Sequence, residues 1–362
     1  MILYSNKRKL LDGLKSKKLN EYKFLVIRDG LIGDNVFITP VINKLKREYK
    51  NSFIDVLVNI QSKDLFENNE GINNLFSFPE KFNIKQHLLL FISLRKYKYD
   101  CVFIQEVNTH YTLMARLLGS KLVVGYRNSL QILHDISIDR KGHAVPAEQQ
   151  LVNYITGCTD VEQTKLCTTV REKEEADIIL KENGIINNNF ICIQFTCSEK
   201  KSVRQLSYET VAKLADEIND RYNYQLVFLG TKNDTDEIEI VRRLMNSSSI
   251  SLAGKTSLRN LITIIERAFL VIGPDTGTLH IANAVGTPVI MYMGYSDPDD
   301  TGPFDKSNRS KVITGDLECI PCKYTDPKPA NWNYCMNNRP TLCMKMITLD
   351  DIINKLENII KP

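Results

Sequence analysis

The feature that most limits what this chain can fold into is a repeated alternation of short apolar runs with stretches of helical periodicity. The run Lys23-Phe-Leu-Val-Ile-Arg28 is ended by Asp29-Gly30 and a glycine-bearing loop, Leu31-Ile32-Gly33-Asp34. Val36, Ile38, Val41, Ile42, Leu45 and Tyr49 then recur at helical spacing, with Lys44, Lys46, Arg47 and Glu48 on the other side. Pro40 marks a helix start capped by Thr39, or kinks a helix begun at Asp34. Ser52–Val58 is the next strand, so the opening is a βαβ unit whose right-handed crossover builds a parallel sheet.

The alternation continues with strands at Leu75–Phe78, Cys101–Gln105 and Leu122–Gly125 and helices at Gln86–Tyr97, Tyr111–Leu118 and Ala147–Gly157. It lapses over Asp160–Thr169, and a charged helix, Glu172–Asn183, leads to Gly184 and an Asn187-Asn188-Asn189 turn. It then restarts, with strands at 190–195, 225–230, 250–252 and 269–272 and helices at 207–220, 234–245 and 257–268. Two such runs predict two doubly wound α/β domains, each with its ligands outside the C-terminal strand ends, facing each other across a cleft. A length of 362 residues suits two domains better than one. The expected partition is a basic N-terminal helix over 1–20, an acceptor-side domain over 21–165, a second domain over 166–346 with a cysteine-containing segment at 319–343, and a C-terminal helix over 347–362 capped by Thr348.

Charged residues at 25% and hydrophobic ones at 43% are ordinary for a globular protein, and no run approaches the ~18 apolar residues a membrane helix needs. The first residues lack the apolar core of a secretory signal, so a cytoplasmic location is expected, with the nine cysteines as thiols or metal ligands. A net charge of +4 does not point to nucleic acid. Lys7, Arg8, Lys9, Lys15, Lys17 and Lys18 nevertheless crowd the first twenty residues beside Ile2, Leu3, Leu10, Leu11, Leu14 and Leu19. Such a helix can lie on an anionic membrane surface, or pack locally.

The chemistry concentrates in Val271–Ile290. Gly273-Pro274-Asp275 breaks an apolar run, and Asp275 or Thr276 can cap a helix starting near Gly277, whose free N–H groups would suit a phosphate. His280 falls one turn in, on the side of those amides. The plain alternative is an ordinary βα turn with a capping Asp and a core His. No G-x-G-x-x-G follows the first strand and no Walker A sequence occurs, which disfavours a nicotinamide dehydrogenase or P-loop nucleotidase. An acidic loop, Asp29 to Asp34, and a phosphate turn, Asp275 to His280, suit group transfer, with a carboxylate to take a proton and a turn to stabilise a leaving diphosphate.

Phe24 to Pro40, with Ile54-Asp-Val-Leu-Val58, resembles the opening of glycosyltransferase family 9, the bacterial heptosyltransferases. Gly273-Pro-Asp-Thr-Gly-Thr-Leu-His280 with Gly286-Thr-Pro-Val289 resembles that family's nucleotide-sugar signature. The resemblance implies a GT-B fold and an inverting, metal-independent transfer of heptose from an ADP-activated donor to the lipopolysaccharide inner core, with lipid A-Kdo as acceptor. Asp34 matches the family's general base, with a plain helix N-cap as its other reading. Asp275, Thr276, Gly277, Thr278 and His280 match residues around the donor, and Thr196 stands where family members hold hydroxyls against phosphate. The family's Lys-x-Trp-Pro element is not intact: Arg204-Gln-Leu-Ser207 replaces it, which makes Arg204 the cation for the β-phosphate, with Lys200 and Lys201 as rivals. Asp234 stands where a carboxylate could accept ribose hydroxyls, or caps the following helix.

Cys319, Cys322, Cys335 and Cys343 have the count for a tetrahedral thiolate site, although the last gap is not a standard knuckle. Autotransporter heptosyltransferases similar to the family hold iron through four cysteines, so the resemblance implies a structural zinc or iron, with free thiols as the alternative. Cys101, Cys192 and Cys197 read as core, and His110, His134 and His143 as structural or acceptor-side. The basic leader could hold the enzyme on the inner membrane's cytoplasmic face. Rival readings are a protein (autotransporter) acceptor, a GT-B nucleotide-sugar epimerase, which would convert the donor alone, and a non-catalytic nucleotide-sugar-binding protein.

Overall fold

Strands β1 (Lys23–Arg28), β2 (Phe53–Val58), β3 (Asn74–Ser77), β4 (Cys101–Ile104), β5 (Leu122–Tyr126) and β6 (Ile136–Ile138) form an all-parallel sheet in the order β3-β2-β1-β4-β5-β6. Strands β7 (Phe190–Ile193), β8 (Gln225–Phe228), β9 (Ser249–Ser251), β10 (Leu270–Pro274), β11 (Val289–Met293) and β12 (Lys311–Thr314) form a second, in the order β12-β11-β10-β7-β8-β9. The computed structural model describes residues 2–17, 21–81, 83–185, 189–197, 203–322, 335 and 342–360. The chain divides into two compact units, Met1–Cys167 and Thr168–Pro362, one sheet in each.

Each unit has the same winding. The first strand of each, β1 or β7, lies between the second and the fourth, so strand order reverses beside it, between β1 and β4 and between β7 and β10. Crevices form at such reversals because successive connections leave to opposite sides. The runs that form β1 and β7 are buried throughout after their first residue because helices cover both faces of the sheet. In the first unit Leu25, Ile27, Leu57, Val102 and Ile104 pack with Phe91 and Met114 from the helices Ile84–Leu94 and Thr109–Leu117. In the second, Ile191, Ile193, Phe228, Leu270 and Ile272 share a core with Ile352, Ile353 and Leu356 of the helix Leu349–Ile360. Thr348 opens that helix as expected: its hydroxyl accepts from the Asp351 N–H at 3.2 Å, and Asp351 accepts from its N–H at 2.8 Å.

Two local expectations change, and the leader takes one of its two readings. Pro40 stands at the second position of a helix Thr39–Glu48 whose N-cap is Ile38, and a separate short helix, Ile32–Val36, precedes it. Thr39 is therefore not the cap. Its hydroxyl donates to the Val36 carbonyl at 2.8 Å, the acceptor that Pro40, lacking an N–H, cannot serve. The edge strands β6 and β12 are additions, each with only two aliphatic residues to mark it. The basic leader forms the helix Ile2–Ser16 and packs locally: Leu14 is buried, its carbonyl accepts from the Tyr49 hydroxyl at 3.1 Å, and Lys7 pairs with Asp135 at 2.7 Å. Lys18, Leu19 and the 187–188 part of the asparagine turn fall outside the described residues. Among the described residues no helix is long and apolar enough to cross a membrane.

Candidate active site

The reversal beside β1 is built around a buried arginine. Arg28 closes β1, and its guanidinium donates to the Gln105 carbonyl at the end of β4. It also stands 3.0 Å from Asp34, 3.3 Å from Glu148 and 3.5 Å from Glu106. Burial opposes its charge, but Glu148, Glu106 and Asp34 outweigh that and hold its pKa above the ordinary value. Glu106 is pushed up to about 7 by burial, opposed by Arg28 and helped by Glu148, Asp34 and Asp29. Glu148, fully buried, is raised for the same first reason.

Asp34 is the exposed end of this cluster. It is the third residue of the helix Ile32–Val36, not its N-cap, and one carboxylate oxygen reaches back to accept the Leu31 N–H at 3.0 Å while the other takes the Arg28 guanidinium. The side chain keeps 42% of its surface exposed, so solvent or a substrate hydroxyl can reach it. Gly30 is required for this placement, because a Cβ there would stand 2.4 Å from that of Asp34. Asp29 differs. Its oxygens accept from Asn59 at 3.1 Å and from the Tyr111 hydroxyl, so it ties the loop to its neighbours. His134, between Thr112 and Ser137, and His143, which accepts the Val145 N–H at 3.2 Å, are structural. His110 lies 3.1 Å from His87, and burial lowers the pKa of both.

The reversal beside β7 gathers most of the donor-side residues. Gln194, just past β7, donates to the Thr196 hydroxyl at 2.9 Å, and its carbonyl oxygen lies 3.5 Å from the Thr278 hydroxyl. Gly273 permits this approach of β7 and β10, since a Cβ there would stand 2.2 Å from the Gln194 main-chain oxygen. Arg204 donates to the Asp275 carbonyl at 3.0 Å. His280 meets the Asp275 carboxylate at 2.8 Å, and Thr301 approaches its other oxygen at 3.3 Å. Burial pushes the Asp275 pKa up, but the His280 hydrogen bond and charge, with Ser296 and Arg204, outweigh it and hold the carboxylate below its usual range. Asp275 therefore does not cap the helix Gly277–Val285. Thr276 occupies the N-cap position, yet its side chain makes no capping bond, and its buried hydroxyl oxygen has no partner among the described residues. The first N–H groups of that helix have no acceptor within it. A buried hydroxyl and free amides at one helix start make a receptor for an anion.

Asp234 stands apart. Its carboxylate accepts from the Thr231 N–H at 2.6 Å and hydroxyl at 2.7 Å, closing the turn after β8, and no described hydrogen bond or ion pair joins it to the Gln194–His280 group. Lys200 and Lys201 fall outside the described residues. Sequence reasoning passed over Arg28, Glu106 and Glu148, and also Glu237, which approaches Gln205 at 3.4 Å. The available signal for Arg28 was a cation ending an apolar strand.

The sequence model of glycosyltransferase family 9 (heptosyltransferase) matches residues 88–331. The chain belongs to glycosyltransferase family 9. It is 26% identical to lipopolysaccharide heptosyltransferase 3 of Escherichia coli K12 over 73% of this chain and 80% of that one, and 22% identical to lipopolysaccharide heptosyltransferase 2 of the same strain over 81% and 89%. A family 9 glycosyltransferase from Veillonella parvula superposes with a TM-score of 0.79 at 20% identity, covering 93% of this chain and 97% of that one. The E. coli heptosyltransferase WaaC with ADP-2-deoxy-2-fluoro heptose gives 0.69 at 13% identity, with 93% and 99% covered. The iron-containing dodecameric glycosyltransferase TibC of enterotoxigenic E. coli gives 0.60 at 13%, with 94% and 79% covered. This family 9 chain thus has the GT-B fold, two Rossmann-like α/β units, and is a glycosyltransferase of the heptosyltransferase type.

The cysteine segment of this glycosyltransferase belongs to the second unit. No disulfide joins cysteines among the described residues, and Cys101, Cys192 and Cys197 are buried. The Cys322 N–H donates to the Gly294 carbonyl at 3.4 Å, and a Cβ on Gly294 would stand 3.1 Å from the Cys343 sulfur. Burial pushes the Cys322 thiol up to about 11, with Cys319, Cys343 and Cys335 adding to it. The four thiols are therefore neighbours, although among the described residues no group of three or more His, Cys, Asp or Glu side chains is spaced to hold a metal ion.

Proposed function

We propose that this protein transfers a heptose from an ADP-activated donor to the lipopolysaccharide inner core, with inversion at the anomeric carbon. The observation that carries the donor side is the buried Thr276 hydroxyl, without a partner among the described residues, at the start of the helix Gly277–Val285, with Arg204 anchored one residue away on the Asp275 carbonyl. In this reading the amides of Gly277 and Thr278 and the Thr276 hydroxyl take diphosphate oxygens, and the Arg204 guanidinium neutralises the charge that grows on the β-phosphate as the sugar leaves. Thr196 and Thr278 border the same oxygens. His280 holds the Asp275 carboxylate in place beside the donor, and Asp234 accepts ribose hydroxyls by giving up its bond to Thr231. On the acceptor side, Asp34 takes the proton of the attacking hydroxyl as the new glycosidic bond forms and the bond from the anomeric carbon to the phosphate oxygen breaks. Its exposed carboxylate, fixed from behind by Arg28, suits a base that must be both reachable and oriented. No metal takes part in these steps.

ADP as leaving group is supported by the ADP-sugar held by WaaC, and the acceptor by the names of the curated relatives. The protein works in the cytoplasm, where ADP-sugars are made, on an acceptor at the inner membrane. A thermal shift against ADP, UDP, GDP and NAD tests the donor. A ligand at ~100 times its Kd adds about 2.7 kcal/mol, or roughly 5–10 °C for a unit of this size. ADP is expected to stand clear of the other three; an equal response to UDP or GDP would refute an adenine donor.

The four neighbouring thiols of Cys319, Cys322, Cys335 and Cys343 are proposed to hold a structural zinc or iron. Soft thiolates suit either ion, and the likeness to an iron-containing transferase supports the reading. The spacing found here is not that of a ligated site, so the sulfurs would have to draw together on binding. Elemental analysis of purified protein should find close to one equivalent of metal, and protein that is folded, active and metal-free would reject the site.

A further inference from the structure

We infer that the helices Ile84–Leu94 and Thr109–Leu117 of the first unit form a docking face for an anionic lipid bilayer. A helix on a sheet ordinarily buries one apolar stripe and turns polar residues outward. The helix Ile84–Leu94 does not follow this. His87, Phe91 and Leu94 face the core, while Ile84, Leu88, Leu89 and Ile92 keep 65%, 37%, 55% and 49% of their surface exposed. Ile84, Leu88 and Ile92 recur every four residues, so they form one outward stripe. The helix Thr109–Leu117 adds Leu113 and Leu117, 46% and 41% exposed. They follow His110 by three and seven residues, and His110 is the residue that touches His87 of the first helix at 3.1 Å. The exposed leucines thus flank the seam between the two helices.

The charge around this face selects its occupant. Lys81, Lys85, Arg95, Lys96 and Lys98 are all exposed, and no Asp or Glu occurs from Lys81 through Tyr99. Glu80 and Asp100 bound this segment, and within it an apolar stripe accompanied by five cations and no acid matches the interface of a bilayer carrying anionic headgroups. It does not match a second copy of this chain, since an isologous contact would bring the same cations together. The position fits as well. Both helices begin at the C-terminal edge of the sheet, where Tyr111 bonds Asp29 and where Leu31, 50% exposed, lies three residues from Asp34. That the docked face serves catalysis rests on the reading of a lipid-borne acceptor; the docking itself does not. The leader Ile2–Ser16 turns Leu14 into its own unit, and its basic residues are tested beside this face.

The test is co-sedimentation of the full chain with phosphatidylcholine vesicles with and without phosphatidylglycerol. Binding should require phosphatidylglycerol and weaken with salt. Leu89→Asp, and separately Lys85→Glu with Lys96→Glu, should each lower vesicle partition by at least about tenfold. Arg8→Glu with Lys9→Glu in the leader should leave it within about twofold. Because these side chains are exposed, the variants should melt as the parent does. Turnover of Leu89→Asp on a soluble, lipid-free acceptor should be unchanged. If wild-type protein ignores the vesicles, or the face variants bind as the parent does, the docking face is wrong. The same holds if sedimentation finds a dimer that Leu89→Asp dissociates. Absence of turnover on any acceptor would instead defeat the functional proposal and leave the docking result standing.

Discussion

Asp34→Asn is expected to lower kcat by about 10²–10⁴-fold, the loss that removing a general base produces. The amide is nearly the same size, and its oxygen can still accept the Leu31 N–H that the carboxylate takes at 3.0 Å. The loop should therefore keep its shape, and ADP affinity, which the proposed function assigns to residues of the other unit, should change by less than about twofold. What the amide cannot do is accept a proton from the attacking hydroxyl. Single-turnover rates with donor and acceptor, set beside ADP titration of the same preparation, separate the two effects. A variant with near-normal turnover would remove Asp34 from the chemistry, whatever the fold.

Arg28→Met should cost up to about 3–5 kcal/mol of stability, because it leaves Glu148, with no exposed side-chain surface, with Arg140 at 3.2 Å as its remaining cation and takes the guanidinium from Glu106 and Asp34 as well. The loss should depend on pH, and the sign follows from the carboxyl groups. Glu106, pushed up to about 7, and Glu148, also raised, hold protons more tightly in the folded chain than in the unfolded one. The stability they contribute is complete below the ordinary Glu value and fades as pH rises through about 7. Arg28 pulls both values down. Without it they rise further and ionisation becomes more costly, so the drop in Tm for Arg28→Met should be larger at pH 8 than at pH 5. Adding Glu148→Gln should recover part of the loss at the higher pH. Equal drops at both values would mean that the buried carboxyls do not couple to Arg28.

The sheets were legible because their signals are local. β1 and β4 hold continuous apolar runs, β2 breaks its run only at Asp55, and the restart at β7 repeats the pattern, so two parallel sheets followed from periodicity and order alone. The edge strands β6 and β12 were not legible, since Ile136-Ser-Ile138 and Lys311-Val-Ile-Thr314 each hold only two aliphatic residues among polar neighbours. The candidate site was legible where its members are contiguous, as in Asp275 to His280 after β10. It was illegible where one side chain chooses among several partners. Asp275 was free, on sequence, to cap the next helix; in the fold it turns to His280, and the helix start keeps a Thr276 hydroxyl that no described residue satisfies.

Sequence alone determined the two α/β units and the family signature after β10, because strand and helix periods, turn residues and motif order are properties of neighbouring residues. Tertiary structure decided which carboxylates share Arg28 and that the first unit's outer leucines face solvent. These depend on segments far apart in the chain being brought to the same sheet edge, where burial and charge are set by what else arrives there.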